Sequence, residues 1–426
     1  MKLLQIGIFA LLVFGIAAHG AVEDWARAVL ETGSGLLLVA WAAQEYFTPS
    51  EIVLSPLVPP LVALSLVALG QIFLHGTASA YETRLELQLL IAFAILLFLA
   101  AQAFRTADDW RVFVWFVMVF GFIVAIFGIL QHLTFNGKLY WFREMRYGGI
   151  PFGPYVNRNH FAGFAELVIP VALVPLVLGK VRPERWFLVG LLALFPLGAL
   201  FLSASRGGII SFAAELGFLA LLLVLRRAGG KHLLAGATVL LLAFMLVSWL
   251  GVRQILERFS SMQSLEVTSG KRASMRSDTL HIFRDHPWTG TGLGTLQTVF
   301  PAYETLYDTK IVNHSHNDYL EALAETGIVG AACCAWFLAA LFFHSLRRLL
   351  LQDKSFSAAL HLSGLIACTG FVVHSLVDFN LHIPGNMLLF LLMALLATVE
   401  ISTSTSTPPT RHHHHHRQSV LAEITH

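Results

Sequence analysis

The 426 residues are 56% hydrophobic and only 13% charged, and the mean hydropathy is +0.69. Soluble domains carry about 25% charged residues, so the composition excludes an ordinary soluble domain and predicts an all-α polytopic membrane protein. The net charge of +2 is not gathered into a basic patch, so we expect the lipid bilayer as a partner and no nucleic acid.

About twelve stretches reach the roughly 17–25 apolar residues that a membrane-spanning helix needs. The predicted spans are 3–19, 28–47, 52–75, 85–105, 111–132, 160–179, 186–204, 208–225, 233–250, 327–346, 356–377 and 385–401. The third contains Pro56, Pro59 and Pro60, which predict a kinked or re-entrant start. The first could instead be a signal peptide cleaved near Ala18, but the further spans favour an uncleaved helix.

Short basic loops predict the orientation, because cytoplasmic loops are enriched in Lys and Arg. Three such loops, within 180–185, 226–231 and 347–354, fall on one side of the membrane. The opposite, outer side then receives the junctions 133–159, 203–207, 251–326 and 378–384. Basic residues in the first of these junctions run against the rule, and anion binding would explain them.

The chain divides into three parts by composition. Residues 1–150 hold N-terminal spans, and residues 151–401 hold every polar cluster discussed below. The large external loop 251–326, with short helices, is the long polar stretch of this second part, and such loops commonly carry function. Residues 402–426 are Ser/Thr/Pro-rich and then histidine-rich, which predicts a disordered cytoplasmic tail.

Arg206 lies in Ser203-Ala204-Ser205-Arg206-Gly207-Gly208, with almost no loop between two apolar spans. An ionisable group at the membrane edge is costly unless paired, which makes Arg206 a candidate for ligand binding. The adjacent glycines would let a ligand approach the backbone. A snorkelling arginine at a helix end is an equal alternative.

Arg158 and Asn159 belong to Tyr155-Val156-Asn157-Arg158-Asn159-His160, directly before the sixth span. Donors at a helix N-terminus favour anions. Ordinary capping by Asn159, together with anchoring of Tyr155 at the membrane interface, is the alternative of equal weight.

Arg272 and Arg276 lie four residues apart in the large loop and would share one face on a helix. The segment 274–284 is predicted to be helical. A solvated surface is the better interpretation for Arg276 and Arg284. Alternating glycines follow, but no strand-to-helix unit surrounds them, so a dinucleotide or phosphate loop is disfavoured. These glycines are Gly290, Gly292 and Gly294.

His314, His316 and Asn317 lie in His314-Ser315-His316-Asn317-Asp318-Tyr319. A neutral imidazole can accept a proton near pH 7, so a general base is predicted here. A zinc site lacks convincing further ligands, and we expect no metal and no cofactor. Asp378 and His382 could add an orienting carboxylate and acceptor contacts, or could belong to a plain helix-end turn.

These residues place several guanidiniums and a histidine on one predicted face. Guanidiniums bind phosphate oxygens in pairs, which suits a diphosphate. A lipid diphosphate is already a good leaving group, so transfer from it needs a base for the acceptor hydroxyl and no general acid. The pattern therefore favours glycosyl transfer from a lipid diphosphate, without the two carboxylates of glycoside hydrolysis.

The same motifs resemble those of the O-antigen ligase and polymerase superfamily of bacterial inner-membrane glycosyltransferases. The most specific is His316-Asn317, nine residues and then Gly327-Ile328-Val329-Gly330. The likeness is strong over about 150–385 and extends weakly to the whole chain. It rests as well on the Tyr155–His160 and Ser203–Gly208 motifs and on Arg272 upstream of Pro287-Trp288-Thr289-Gly290-Thr291-Gly292.

The resemblance implies a metal-independent, inverting transferase that uses an undecaprenyl-diphosphate-linked glycan at the periplasmic face. It implies that Arg206 and Arg272 hold the diphosphate and that His316 is the base. Arg158 and Asn159 would support them, while Arg276 could replace Arg272 and His314 could replace His316. The acceptor could be lipid A-core for a ligase, a glycan for a polymerase, or a protein.

Two other classes remain as alternatives. A flippase for a lipid-linked sugar would also bind diphosphate, but it predicts internal symmetry and charges near the middle of the bilayer. We see no repeat, and we expect the charges at the outer ends of spans. A structural scaffold would not explain the arginines on the outer side.

Overall fold

The computed structural model describes residues 2–145, 149–225, 245, 263–306, 311–351 and 356–400, and within them the chain forms helices and turns without a β-strand. The α-helices are α1 (Lys2–Ala17), α2 (Asp24–Phe47), α3 (Val58–Phe73), α4 (Ala80–Ala103), α5 (Ala107–Leu133), α6 (Arg158–Val177), α7 (Pro183–Ser203), α8 (Arg206–Leu225), α9 (Gln263–Asp285), α10 (Leu296–Val299), α11 (Asp318–Leu351), α12 (Phe356–His374) and α13 (Pro384–Thr398). The all-α prediction is confirmed for this part of the chain.

Seven of the described helices are long and apolar enough to cross a membrane, namely α4 to α8, α11 and α12, and α1, α3 and α13 are shorter apolar helices. The chain is therefore a multi-span membrane protein. Helix α2 forms as predicted but is not among the seven, in keeping with its weaker hydrophobicity. Apart from Met245, the predicted span 233–250 lies outside the described residues, as does the tail 402–426, so the number of about twelve spans stays a prediction.

The prolines of the third predicted span begin its helix. Helix α3 starts at Val58 with Pro59 and Pro60 in its first turn, where the missing N–H would have no helical partner. The predicted kinked helical start is absent, because residues 52–57 are not helical. The alternative of a re-entrant start stays a prediction. Prolines lie inside α6 and α7 instead, at Pro170, Pro175 and Pro196.

Helix α6 is the centre of the bundle. All residues from His160 to Val177 are buried, and the helix packs mainly against α7 and α12. A helix that is covered on every side must be apolar all round, yet α6 carries Glu166 with 0% of its surface exposed. Glu215 on α8 is 1% exposed. The expectation that charges lie only at span ends was therefore wrong.

The predicted outer junctions meet at one end of the bundle. Asn159 contacts Asp378, Arg276 contacts Leu376, and the backbone of Thr291 accepts from the amide of Ala78 between α3 and α4. At the other ends of these helices, Gln5 of α1 donates to the carbonyl of Ala103 in α4 and to Asp109 in the first turn of α5. The side of the membrane that each end faces stays a prediction.

The glycine-rich part of the large loop docks on a kink in α11. Gly327 breaks the helix with φ 60° and ψ −164°, and a Cβ there would come within 2.3 Å of the Trp288 backbone. Gly290 has φ 68°, and a Cβ there would come within 2.2 Å of the Glu325 backbone. Gly327, the first glycine of the Gly327-x-x-Gly330 motif, is therefore needed for a close backbone contact, which only a residue without a side chain allows.

We expect Gly327→Ala to lower the free energy of unfolding by about 2 kcal/mol or more, because it adds both backbone strain and a clash. Thermal unfolding in detergent measures the change. Gly190→Ala on α7 is the matched control, since nothing lies within 4 Å of its Cβ position. A Gly327→Ala protein as stable as the control would contradict this account of the motif.

Candidate active site

The turn from His374 to His382 (the 374–382 turn) joins α12 to α13 and organises the site. The His374 carbonyl accepts hydrogen bonds from the amides of Val377 at 2.9 Å and Asp378 at 3.0 Å. The carbonyl of Ser375 accepts from the amide of Asp318, the first residue of α11. The turn is therefore tied to the helix that carries the histidine motif.

Asp378 joins His316 to the N-terminus of α6. Its Oδ1 lies 3.3 Å from His316 Nδ1, and its Oδ2 accepts from the side-chain amide of Asn159. Burial opposes ionisation of Asp378, but the hydrogen bond from His316 and the charges of His160 and His316 outweigh it and hold the pKa of Asp378 well below its usual range. His316 has a left-handed backbone with φ 53°, which is strained for a residue with a side chain and is common at functional sites.

His314 and His382 form a second network with the first turn of α11. His314 Nδ1 lies 2.7 Å from Glu321, and His382 contacts Asp318 at 2.8 Å and Glu321 at 3.4 Å. Burial would lower the pKa of His382, but the carboxylates of Glu321 and Asp318 raise it to about 10. His382 is therefore protonated, and each of its ring nitrogens faces a carboxylate. Nδ1 faces Asp318 and Nε2 faces Glu321.

A metal ion would find its donors in this second network. The ligand atoms of His314, Glu321 and His382 all lie within 4.8 Å of one another. The contacts of His382 to two carboxylates suit a protonated ring, whereas a metal would require it to be neutral.

Phe379 packs between the two histidine networks. Its ring stacks on His314 with centroids 4.4 Å apart and meets His316 edge-on at 4.9 Å. His160 approaches the same ring at 4.8 Å. The aromatic ring fixes the separation of the two histidines that could act as a base.

A cavity of about 1560 Å³ opens beside the turn. Its polar lining includes Arg158, Asn159, Arg272, His314 and His382. Its apolar lining comes from α3, α4 and α13, through Leu64, Leu89, Leu90, Phe93 and Met387. A molecule with an anionic group and a hydrocarbon chain fits these two kinds of wall.

The structure separates the predicted residues into two groups. Arg158, Asn159, Arg272, His314 and His382 line the cavity, whereas Arg206, Arg276, His316, Asn317 and Asp378 do not. The second group gathers around the 374–382 turn: Arg276 Nη2 donates to the Leu376 carbonyl at 3.4 Å, and Asn317 Nδ2 donates to it at 3.0 Å. Asp378 connects the groups through its contact with Asn159.

Arg206 is exposed at the start of α8 and makes no hydrogen bond or ion pair with the described part of the chain. Ser205 rather than Arg206 caps that helix, since its hydroxyl accepts from the amide of Gly208 at 3.2 Å. Likewise, Asn157 and not Asn159 caps α6. Capping by Asn159 was therefore the wrong alternative, and its side chain is used to hold Asp378.

Two other basic residues of the 133–159 junction, Lys138 and Arg143, pair with carboxylates of the protein. Arg143 pairs with Glu23 and lies 2.7 Å from His19, and Lys138 lies 3.2 Å from Glu144. Anion binding therefore does not account for Arg143 and Lys138, and the charge pattern alone overstated the positive charge of this junction.

Sequence reasoning gave too little weight to the carboxylates of α11. Asp318, Glu321 and Glu325 are all buried, and Glu325 accepts from the amides of Gly294 and Leu296. Their spacing of three and four residues puts them on one helix face. That spacing was the available signal.

We expect His382→Gln to destabilise the protein most at neutral and acidic pH. The raised pKa means that the stabilisation from protonated His382 is fully present below about 6.5 and is lost as the pH rises through about 10. The difference in melting temperature between wild type and variant, of the order of a few degrees at pH 6.5, should shrink towards pH 10. His281→Gln, at an exposed position on α9, is the control. A difference that grows with pH would refute the assignment.

Comparison with known proteins gives one family. A family model described as O-Antigen ligase matches residues 189–335, from α7 into α11, a region that includes Arg206, Arg272 and His316. No curated protein matches the chain.

Proposed function

We propose, for a chain that belongs to the O-antigen ligase superfamily, the activity of an inverting, metal-independent glycosyltransferase. It would move a glycan from an undecaprenyl-diphosphate donor to a hydroxyl acceptor at the outer face of the bacterial inner membrane. The observation that carries this proposal is the cavity in which guanidiniums and histidines from distant segments meet an apolar wall. A lipid diphosphate has both matching parts.

In the proposed reaction, His316 takes the proton of the acceptor hydroxyl while its oxygen attacks the anomeric carbon of the donor sugar. The bond from that carbon to the diphosphate oxygen breaks, and the lipid diphosphate leaves with the bonding electrons. One displacement inverts the anomeric configuration. Asp378 would orient the His316 ring and stabilise the imidazolium, as the third member of a triad does.

Arg272 would stabilise, from the cavity wall, the negative charge that grows on the departing diphosphate. Arg206 would do so from outside the cavity lining, at the start of α8. Arg272 is favoured over Arg276 because it lines the cavity, whereas Arg276 donates to the turn. Arg158 would assist from the start of α6. His314 remains the alternative base, since it lines the cavity and is oriented by Glu321.

The subclass follows from the acceptor. The proposed activity is that of an O-antigen ligase-like enzyme in surface polysaccharide assembly, and the alternatives are a polymerase that extends a lipid-linked glycan and a protein O-oligosaccharyltransferase. The test offers these acceptors separately to purified protein in detergent, with an undecaprenyl-diphosphate oligosaccharide and EDTA. Release of lipid diphosphate coupled to one product would select the subclass.

One observation favours a second function. The buried Glu166 is an ionisable group inside a helix, of the kind that a flippase predicts. Donor movement across liposomes, without transfer to any acceptor, would replace the transferase by a lipid-linked sugar flippase.

We expect His316→Ala to lose about 10²-fold or more in turnover while donor binding is kept, because a general base acts on the acceptor. His314→Ala should lose less. Both variants are compared in the coupled release assay, with donor binding measured separately. Full turnover in His316→Ala together with loss in His314→Ala would transfer the role of base to His314.

We expect Arg272→Ala to weaken donor binding and lower turnover about 10²-fold, since a charge-assisted contact to phosphate is lost. Arg206→Ala should behave in the same way. Arg284→Ala is the matched control, because it removes an exposed arginine from the same helix as Arg272. Equal effects in Arg272→Ala and Arg284→Ala would show that Arg272 contributes only through the overall positive charge and not through a contact to phosphate.

Loss of wild-type turnover in EDTA, with recovery on added zinc, would overturn metal independence and point to His314, Glu321 and His382.

A further inference from the structure

An acid and a base are paired in the middle of the bundle, away from the cavity lining. Glu166 of α6 and His374 of α12 both have side chains that are 0% exposed. His374 Nδ1 lies 3.0 Å and 3.2 Å from the two carboxylate oxygens of Glu166. Removing one partner would leave the other buried without compensation, so the pair constrains how α6 and α12 pack.

The pair acts directly on the 374–382 turn, because His374 is its first residue. The carbonyl of His374 holds the amides of Val377 and Asp378. The other ring nitrogen, Nε2, faces α8, and a Cβ on Gly207 would come within 2.6 Å of it. The glycine after Arg206 therefore makes room for His374, and the start of α8 is fitted to the same ring.

Helix α6 thus contacts the 374–382 turn at two points, and these two contacts are its grip on the turn. Asn159 at its N-terminus holds Asp378, and Glu166, about two helical turns later, holds His374. The segment 374–378 lies between these two contacts, and it sets the direction of the Asp378 carboxylate. The direction of that carboxylate sets the His316 ring.

We propose that Glu166 and His374 are positioning residues for the transferase reaction. They hold the 374–382 turn so that Asp378 orients His316. They also fit the start of α8, which carries Arg206, against this turn. This inference rests on the proposed function, and it gives that function's site a buried support that touches neither donor nor acceptor.

The test uses the full chain in detergent with Glu166→Gln, His374→Gln and the double variant. We expect kcat to fall about tenfold or more in each, because small displacements of a catalytic group are costly, while KM for the donor stays within about twofold. The double variant should lose no more than the worse single variant, as for two residues of one unit. Glu166→Asp, which keeps the carboxylate, should recover part of kcat.

Glu215→Gln is the matched control. Glu215 is an equally buried carboxylate on α8, but its oxygens bond to no residue in the part of the chain that the structure describes. Its kcat should stay at the wild-type value. Equal losses in Glu166→Gln and Glu215→Gln would show a packing effect and overturn the proposal, as would wild-type kcat in Glu166→Gln.

Hydrogen exchange at the amides of Val377 and Asp378 separates this inference from the transferase itself. We expect faster exchange in Glu166→Gln and His374→Gln, and wild-type rates in Glu215→Gln. If exchange is faster in the variants but the wild-type protein transfers no glycan, the proposed function and the positioning role of the pair in that reaction are both refuted. The pair would then only stabilise the turn. Unchanged exchange in both single variants would refute the grip. Should Glu166→Gln fail to fold, Glu166→Asp and His374→Gln carry the same comparison.

Discussion

The burial of three carboxylates on one face of α11 is the constraint on which the site depends. A carboxylate that leaves water must meet donors or cations, because its desolvation is otherwise uncompensated. Asp318 meets His382, Glu321 meets His314 and the amide of Ser315, and Glu325 meets two amides of the 290–296 segment. These contacts fasten three separate segments to one helix, so the first turns of α11 are the common anchor of the large loop and the 374–382 turn.

The apolar bundle makes these polar contacts directional. Around α6 the surroundings are tightly packed, and polar groups there have few partners to choose from. Each contact of the turn therefore fixes an orientation as well as a position. Asn159 and Glu166 contact it from α6, and Asp318 contacts it from α11. The strained backbone of His316 is held inside this frame.

Fewer basic side chains face a potential ligand at the site than the number of basic residues suggests. Arg143 is paired with Glu23, and Arg276 donates to a backbone carbonyl. His382 balances two carboxylates, since its pKa is raised to about 10. Arg272 is left at the cavity wall and Arg206 on the surface beside the turn, which concentrates the capacity to bind an anion in a few side chains.

Within the described residues, the amino-acid sequence by itself determined the helical class and most helix bounds to within a few residues. These follow from hydropathy and helix length, which are local properties of the chain. It also supplied the His316 and Gly327 motif, which resembles that of the O-antigen ligase superfamily.

Only the tertiary structure decided that Arg272 and His314 line the cavity while Arg276 and His316 do not. It also decided that Asn159 holds Asp378 and that Glu166 meets His374, 208 residues further along the chain. Such contacts depend on how distant helices pack, and no periodicity or spacing along the chain encodes them.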